Sequence, residues 1–85
     1  MRQYHYIIKD RMGIHTRPAG LFVNEVNKYE SKIIVMANGK TANAESLTEI
    51  MDLDVESADR IDIEINGPDE DAAYARIKGF FEDNL

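Results

Sequence analysis

Residues 60–66 read Arg-Ile-Asp-Ile-Glu-Ile-Asn, with apolar and polar side chains in strict alternation. A period of two is the signature of a β-strand, because successive side chains point to opposite faces. Ile61, Ile63 and Ile65 then share one face, while Asp62 and Glu64 share the other. Such a strand has to lie in a sheet that is covered on one side and wet on the other, which is an antiparallel habit. Two further stretches fit this sheet. Tyr4-His5-Tyr6-Ile7-Ile8-Lys9 reads as a strand with Tyr4, Tyr6 and Ile8 on one face and His5 and Ile7 on the other. Lys32-Ile33-Ile34-Val35-Met36 reads as another, and Asn38-Gly39 behind it is a type I′ hairpin signal leading to a short strand near Lys40-Thr41-Ala42.

The cover comes from helices. Thr16 can cap one, with Pro18 in its first turn, and Ala19, Phe22, Val23, Val26 and Tyr29 then form an apolar stripe. Ser46-Leu47-Thr48-Glu49 has the capping-box pattern and opens a short helix through Ile50 and Met51 toward Leu53. Gly67-Pro68-Asp69-Glu70 is a turn and helix start, with acids suited to the positive end of the dipole. Ala73, Ile77, Phe80 and Phe81 face inward behind it. The order is β-α-β-β-α-β-α, an α+β open-faced sandwich.

Length and charge bound what such a fold can do. Eighty-five residues suffice for a single domain over 1–85 and leave no room for an enclosed active site. With no cysteine, disulfides, thiolate metal sites and cysteine nucleophiles are excluded. No apolar run approaches a membrane span and the first residues lack a signal-peptide core, so a soluble, cytoplasmic protein is expected. Ten basic and sixteen acidic side chains give a net charge of −6, which argues against nucleic acid as a partner. The charge is uneven. Residues 1–40 hold seven basic and three acidic side chains, whereas residues 41–85 hold three basic and thirteen acidic. That split predicts two electrostatic faces if the fold keeps the two halves apart.

One constellation carries chemistry: Gly13-Ile14-His15-Thr16-Arg17-Pro18-Ala19-Gly20. A histidine just before a helix meets amide hydrogens without intrahelical partners and the positive end of the dipole. That setting welcomes an anion and favours a neutral, nucleophilic ring. A phosphoryl group on a ring nitrogen would reach those amides and the Arg17 guanidinium, whose planar fork suits phosphate. The implied chemistry is reversible phosphoryl transfer through phosphohistidine. The plainer alternative stands beside it: a lone histidine at a helix start also serves as a cap or a surface residue, and a lone arginine as a solvated charge. His5 is read as a surface strand residue, and no third ligand accompanies His5 and His15, so no metal is expected.

On these residues the chain resembles the HPr family, the histidine-containing phosphocarriers of the bacterial sugar phosphotransferase system. Gly13-Ile14-His15-Thr16-Arg17-Pro18-Ala19 is close to the family's active-site signature, and Asn38-Gly39-Lys40-Thr41, Ser46, Leu47, Met51 and Gly67 also align. The resemblance implies a four-stranded antiparallel sheet with three helices on one face. It implies that His15 accepts a phosphoryl group on its delta nitrogen from enzyme I, with Arg17 stabilising it, and passes it to a sugar-specific IIA domain. Thr16, Pro18, Gly20, Leu47 and Met51 would belong to the partner-docking face. A phosphocarrier of this kind needs no cofactor and no pocket of its own, is no stand-alone enzyme, and is expected to be a monomer.

The chain departs from the family around Ser46. Where many relatives carry a regulatory serine followed by methionine and glycine, this chain has Ser46-Leu47-Thr48-Glu49, with Glu45 in place of a common lysine and Asp54 in place of a second glycine. The resemblance makes enzyme I acidic on its docking face, and like charges across an interface cost affinity and on-rate. Glu45 and Glu49 would repel a phosphate on Ser46, so Ser46 reads first as a plain helix cap and second as a regulatory site. Gly20 inside a helix weakens it by up to ~1 kcal/mol and serves either close partner approach or nothing. Several functions therefore stay open: a phosphocarrier, including one dedicated to a divergent enzyme I or a nonsugar relay, or a regulatory binding module of the same fold that serves another protein, with a small-ligand binding domain of generic α+β type as a weaker third.

Overall fold

The computed structural model describes residues 1–85, and the isoleucine strand lies inside its sheet. The elements are β1 (Arg2–Ile7), α1 (Thr16–Val26), β2 (Lys32–Ala37), β3 (Lys40–Asn43), α2 (Leu47–Asp52), β4 (Arg60–Asn66) and α3 (Glu70–Asn84). The strands run in the order β1-β4-β2-β3, every pair antiparallel. β4 is thus flanked on both sides, with Ile63 opposite Tyr4 of β1 and Val35 of β2. Ile61, Ile63 and Ile65 are fully buried. Removing each from water contributes about 1.5–3 kcal/mol, which is why the alternation pins the register: a one-residue slip would turn all three to solvent.

The helices cover the face that carries these isoleucines. Ala19, Phe22 and Val26 of α1 and Ala73, Ile77 and Phe81 of α3 are buried against it. Phe81 is the hub, with ring centroids 5.1 Å from Phe22, 6.1 Å from Tyr4 and 5.7 Å from Tyr6. Burial pushes the Tyr4 phenol up to about 12, aided by nearby Glu82. The opposite sheet face stays open, and there His5 Nδ1 meets Asp62 Oδ1 at 2.5 Å with Arg60 Nε at 3.0 Å from the same oxygen. Burial raises the Asp62 carboxyl, but the bonds from His5 and Arg60 outweigh it and hold it below the ordinary value.

Asn38 and Gly39 both have positive φ (54° and 76°), as the type I′ turn requires. Four local expectations are corrected. The first strand runs two residues earlier than 4–9, because the chain leaves the ladder after Ile7: Ile8 donates to the Asp59 carbonyl, and Lys9 and Asp10 donate to the main-chain oxygen of Leu85. The cap of α1 is His15 rather than Thr16, which is the first helical residue. Tyr29 lies beyond the end of α1 in the following turn, packed on the core with its hydroxyl donating to Glu25. The capping box at α2 is half formed: Ser46 Oγ accepts the Glu49 N–H at 3.2 Å, but the Glu49 carboxylate accepts from the Asn43 amide. The Ser46 amide already donates to the Asn43 carbonyl.

Candidate functional site

The segment between β1 and α1 sets His15 in place. The Asp10 carbonyl accepts the Gly13 N–H at 3.0 Å, closing a turn, and Gly13 takes a φ of +67°. A Cβ on Gly13 would lie 2.2 Å from the Val55 carbonyl oxygen, so only glycine lets the loop press against residues 55–56. The Ile14 amide then donates to that same Val55 oxygen at 3.0 Å. His15 follows in extended conformation (φ −112°, ψ 176°) as the residue before the helix.

As the cap, His15 offers its carbonyl to the Ala19 amide at 3.0 Å, while its side chain makes no capping bond. The imidazole is therefore not spent on the helix. The amides of Thr16 and Arg17 precede the first intrahelical bond, and Pro18 has none to offer, so two main-chain donors at this helix start have no partner in the helix. Arg17 is exposed, and its guanidinium makes no hydrogen bond or ion pair within the chain. His15 and Arg17 line one shallow cavity of ≈ 210 Å³ together with Asp10, Pro18, Leu21 and Asn84. An imidazole and a guanidinium on one solvent-open hollow, at a helix start whose first amides have no intrahelical partner, offer donors suited to a tetrahedral dianion.

The other expected residues divide. Thr16 is exposed at the helix start, and Gly20 is half-buried with open space around its Cα. Pro18 is buried, so it shapes the cavity wall and offers little area to a partner. Leu47 is exposed at the start of α2, which packs against α1, whereas Met51 is half-buried against the core. Ser46 caps α2, its hydroxyl engaged by the Glu49 amide, with Glu45 and Glu49 exposed on either side. His5 and His15 are not brought to one site, since each faces a different carboxylate, Asp62 and Asp10.

Four residues escaped the sequence reading. Asp10 brings Oδ2 to 3.6 Å from His15 Nε2, so the acid nearest the histidine comes from the basic half of the chain. Met12 and Leu21 are large apolar side chains left exposed on either side of the motif, a signal legible as apolar positions without a period partner. Asn84 reaches the cavity from the last turn of α3, where its amide donates to the Phe80 carbonyl; nothing local to the motif announces it.

Comparison with known proteins bears on this geometry. The sequence pattern of the PTS HPr component phosphorylation site matches residues 3–83. The phosphocarrier protein HPr of Mycoplasma genitalium is 36% identical over 85 residues, covering 99% of this chain and 97% of that protein. The solved histidine-containing phosphocarrier protein of Mycoplasma superposes with a TM-score of 0.93 at 33% identity, covering 96% of this chain and 93% of that one. The catabolite repression protein Crh of Bacillus subtilis, solved as a domain-swapped dimer, superposes with a TM-score of 0.77 at 28% identity over 100% of this chain and 98% of its own.

Proposed function

Since the chain belongs to the HPr family of the phosphotransferase system, we propose that it is a phosphocarrier that accepts a phosphoryl group on His15 from phosphorylated enzyme I and passes it to a IIA domain. The observation that supports this most is the placement of His15 at the mouth of α1, its ring unspent on the helix cap and lining one hollow with the unpaired guanidinium of Arg17. The three phosphoryl oxygens need donors and the ring needs a lone pair, and this arrangement supplies both. A shallow, open site suits a carrier, because the docked partner excludes water and completes the other half. The exposed apolar side chains Met12, Leu21 and Leu47 give such a partner something to cover.

The acids around Ser46 favour a second reading, a regulatory binding module of the same fold with no transfer role. Glu45 and Glu49 flank the Ser46 cap and would oppose both an acidic enzyme I and a phosphate on the serine. Incubation with phosphoenolpyruvate and enzyme I from the same organism separates the two. The carrier reading predicts an acid-labile, alkali-stable phosphate that disappears in His15→Ala. Its absence with the cognate enzyme I hands the function to the regulatory reading.

A further inference from the structure

The carboxylate of Asp10 is held by a device that leaves one oxygen to spare. Its Oδ1 accepts the Met12 amide at 2.8 Å, a side-chain turn that ties the acid to the loop it starts. Its own amide donates to Leu85 at 2.9 Å and its carbonyl accepts from Gly13 at 3.0 Å. With backbone and Oδ1 fixed, Oδ2 lies 3.6 Å from His15 Nε2. Both side chains are about two-thirds sheltered, at 31% exposure for His15 and 28% for Asp10, so the attraction is screened less than on open surface. Contacts of this kind are long in the resting state and tighten in the reacting complex.

We infer that Asp10 is a positioning residue for His15: its free carboxylate oxygen keeps the ring proton on Nε2, so that Nδ1 carries the lone pair that attacks phosphorus. The inference rests on the reading of His15 as a phosphoryl acceptor. In the step, the Nδ1 lone pair forms the new N–P bond while the bond between phosphorus and the phosphorylated partner protein breaks, and its electron pair returns to the partner. The Nε2 proton stays on the ring throughout. The ring becomes formally cationic, and the Asp10 carboxylate faces that charge. In onward transfer the N–P pair returns to Nδ1 and the neutral Nε2–H ring is restored. The turn alone does not need an acid: asparagine at position 10 would satisfy the Met12 amide with its single oxygen and turn its NH₂ group toward Nε2. That donor selects the opposite tautomer, with the proton on Nδ1 and no lone pair for phosphorus.

Asp10→Asn therefore separates the two roles of the residue. Nitrogen-15 NMR of the His15 ring is expected to show the Nε2–H tautomer in the wild type and a shift toward Nδ1–H in the variant. The rate of phosphorylation by enzyme I and phosphoenolpyruvate is expected to fall by about tenfold or more, with an unchanged KM for the carrier. Asp10→Ser keeps an acceptor for the Met12 amide without a carboxylate and should also slow transfer, which guards against a folding artefact in either variant. An unchanged tautomer ratio or an unchanged rate in Asp10→Asn overturns the inference. A wild-type protein that takes no phosphate sinks the carrier reading instead, while the tautomer measurement still decides whether Asp10 orients the ring.

Discussion

Arg17 and His15 differ by two positions, yet only the turn between them makes them work on one hollow. His15 is extended and Arg17 is helical, which swings both side chains to the same cavity. A guanidinium bonded to a phosphoryl group contributes on the order of 1.5–3 kcal/mol. Arg17→Ala should therefore slow phosphorylation of His15 roughly ten- to a hundredfold, and Arg17→Lys should fall between, since an ammonium keeps the charge and loses the fork. Rapid-quench phosphorylation assays check this; an Arg17→Ala rate equal to wild type removes Arg17 from the site. The motif was legible as a candidate because its residue types are those that phosphoryl transfer calls for. Asp10 was not, because its value depends on Oδ1 being consumed by Met12, a fact of three dimensions that makes the second oxygen available to His15.

Among the elements, the hairpin and the central strand could be read directly, since both rest on local patterns: Asn38-Gly39 supplies the positive φ angles and the isoleucines supply the period. The bounds of β1 differ from the sequence reading by two residues and the start of α1 by one, because distant partners decide them. Asp59 and Leu85 draw the chain out of the ladder, and the Val55 contact sets where the helix begins. Asp69 is a similar case. It precedes α3, but its carboxylate turns away to accept the Ser31 hydroxyl at 2.5 Å, the Ser31 amide at 2.9 Å and the Glu30 amide at 2.8 Å, tying the start of α3 to the start of β2. The Ser31 hydroxyl first, then the Glu30 amide, hold the Asp69 carboxyl below its ordinary 3.8. A depressed carboxyl stabilises the fold fully above its unfolded value and loses that contribution as pH falls toward its folded value. The Tm deficit of Asp69→Asn should thus be widest near neutral pH and shrink below pH 3.8; a deficit constant with pH would show that the carboxylate charge is idle. Gly20 makes the opposite prediction for α1. A Cβ there meets nothing within 4 Å, so Gly20→Ala should stabilise by up to ~1 kcal/mol in chemical denaturation. If transfer from enzyme I slows at the same time, close approach of the partner is what the glycine serves.

For the molecule as a whole, the division of charge along the chain becomes a local contrast. The Ile14 amide bonds to the Val55 carbonyl, which brings the loop that carries His15 against the acidic stretch from Glu45 to Asp59. Lys40 already crosses that boundary, donating to the Asp52 carbonyl at 3.0 Å and lying 3.6 Å from Asp54. A one-sided sheet of this length buries a single apolar layer and leaves the hollow lined by His15 and Arg17 open to solvent. The direct test is phosphorylation with phosphoenolpyruvate and the cognate enzyme I, followed by acid and alkali treatment. The expected result is one phosphate per chain, labile in acid, stable in alkali and absent from His15→Ala. A phosphate that persists in His15→Ala, or none on the wild type, would contradict it.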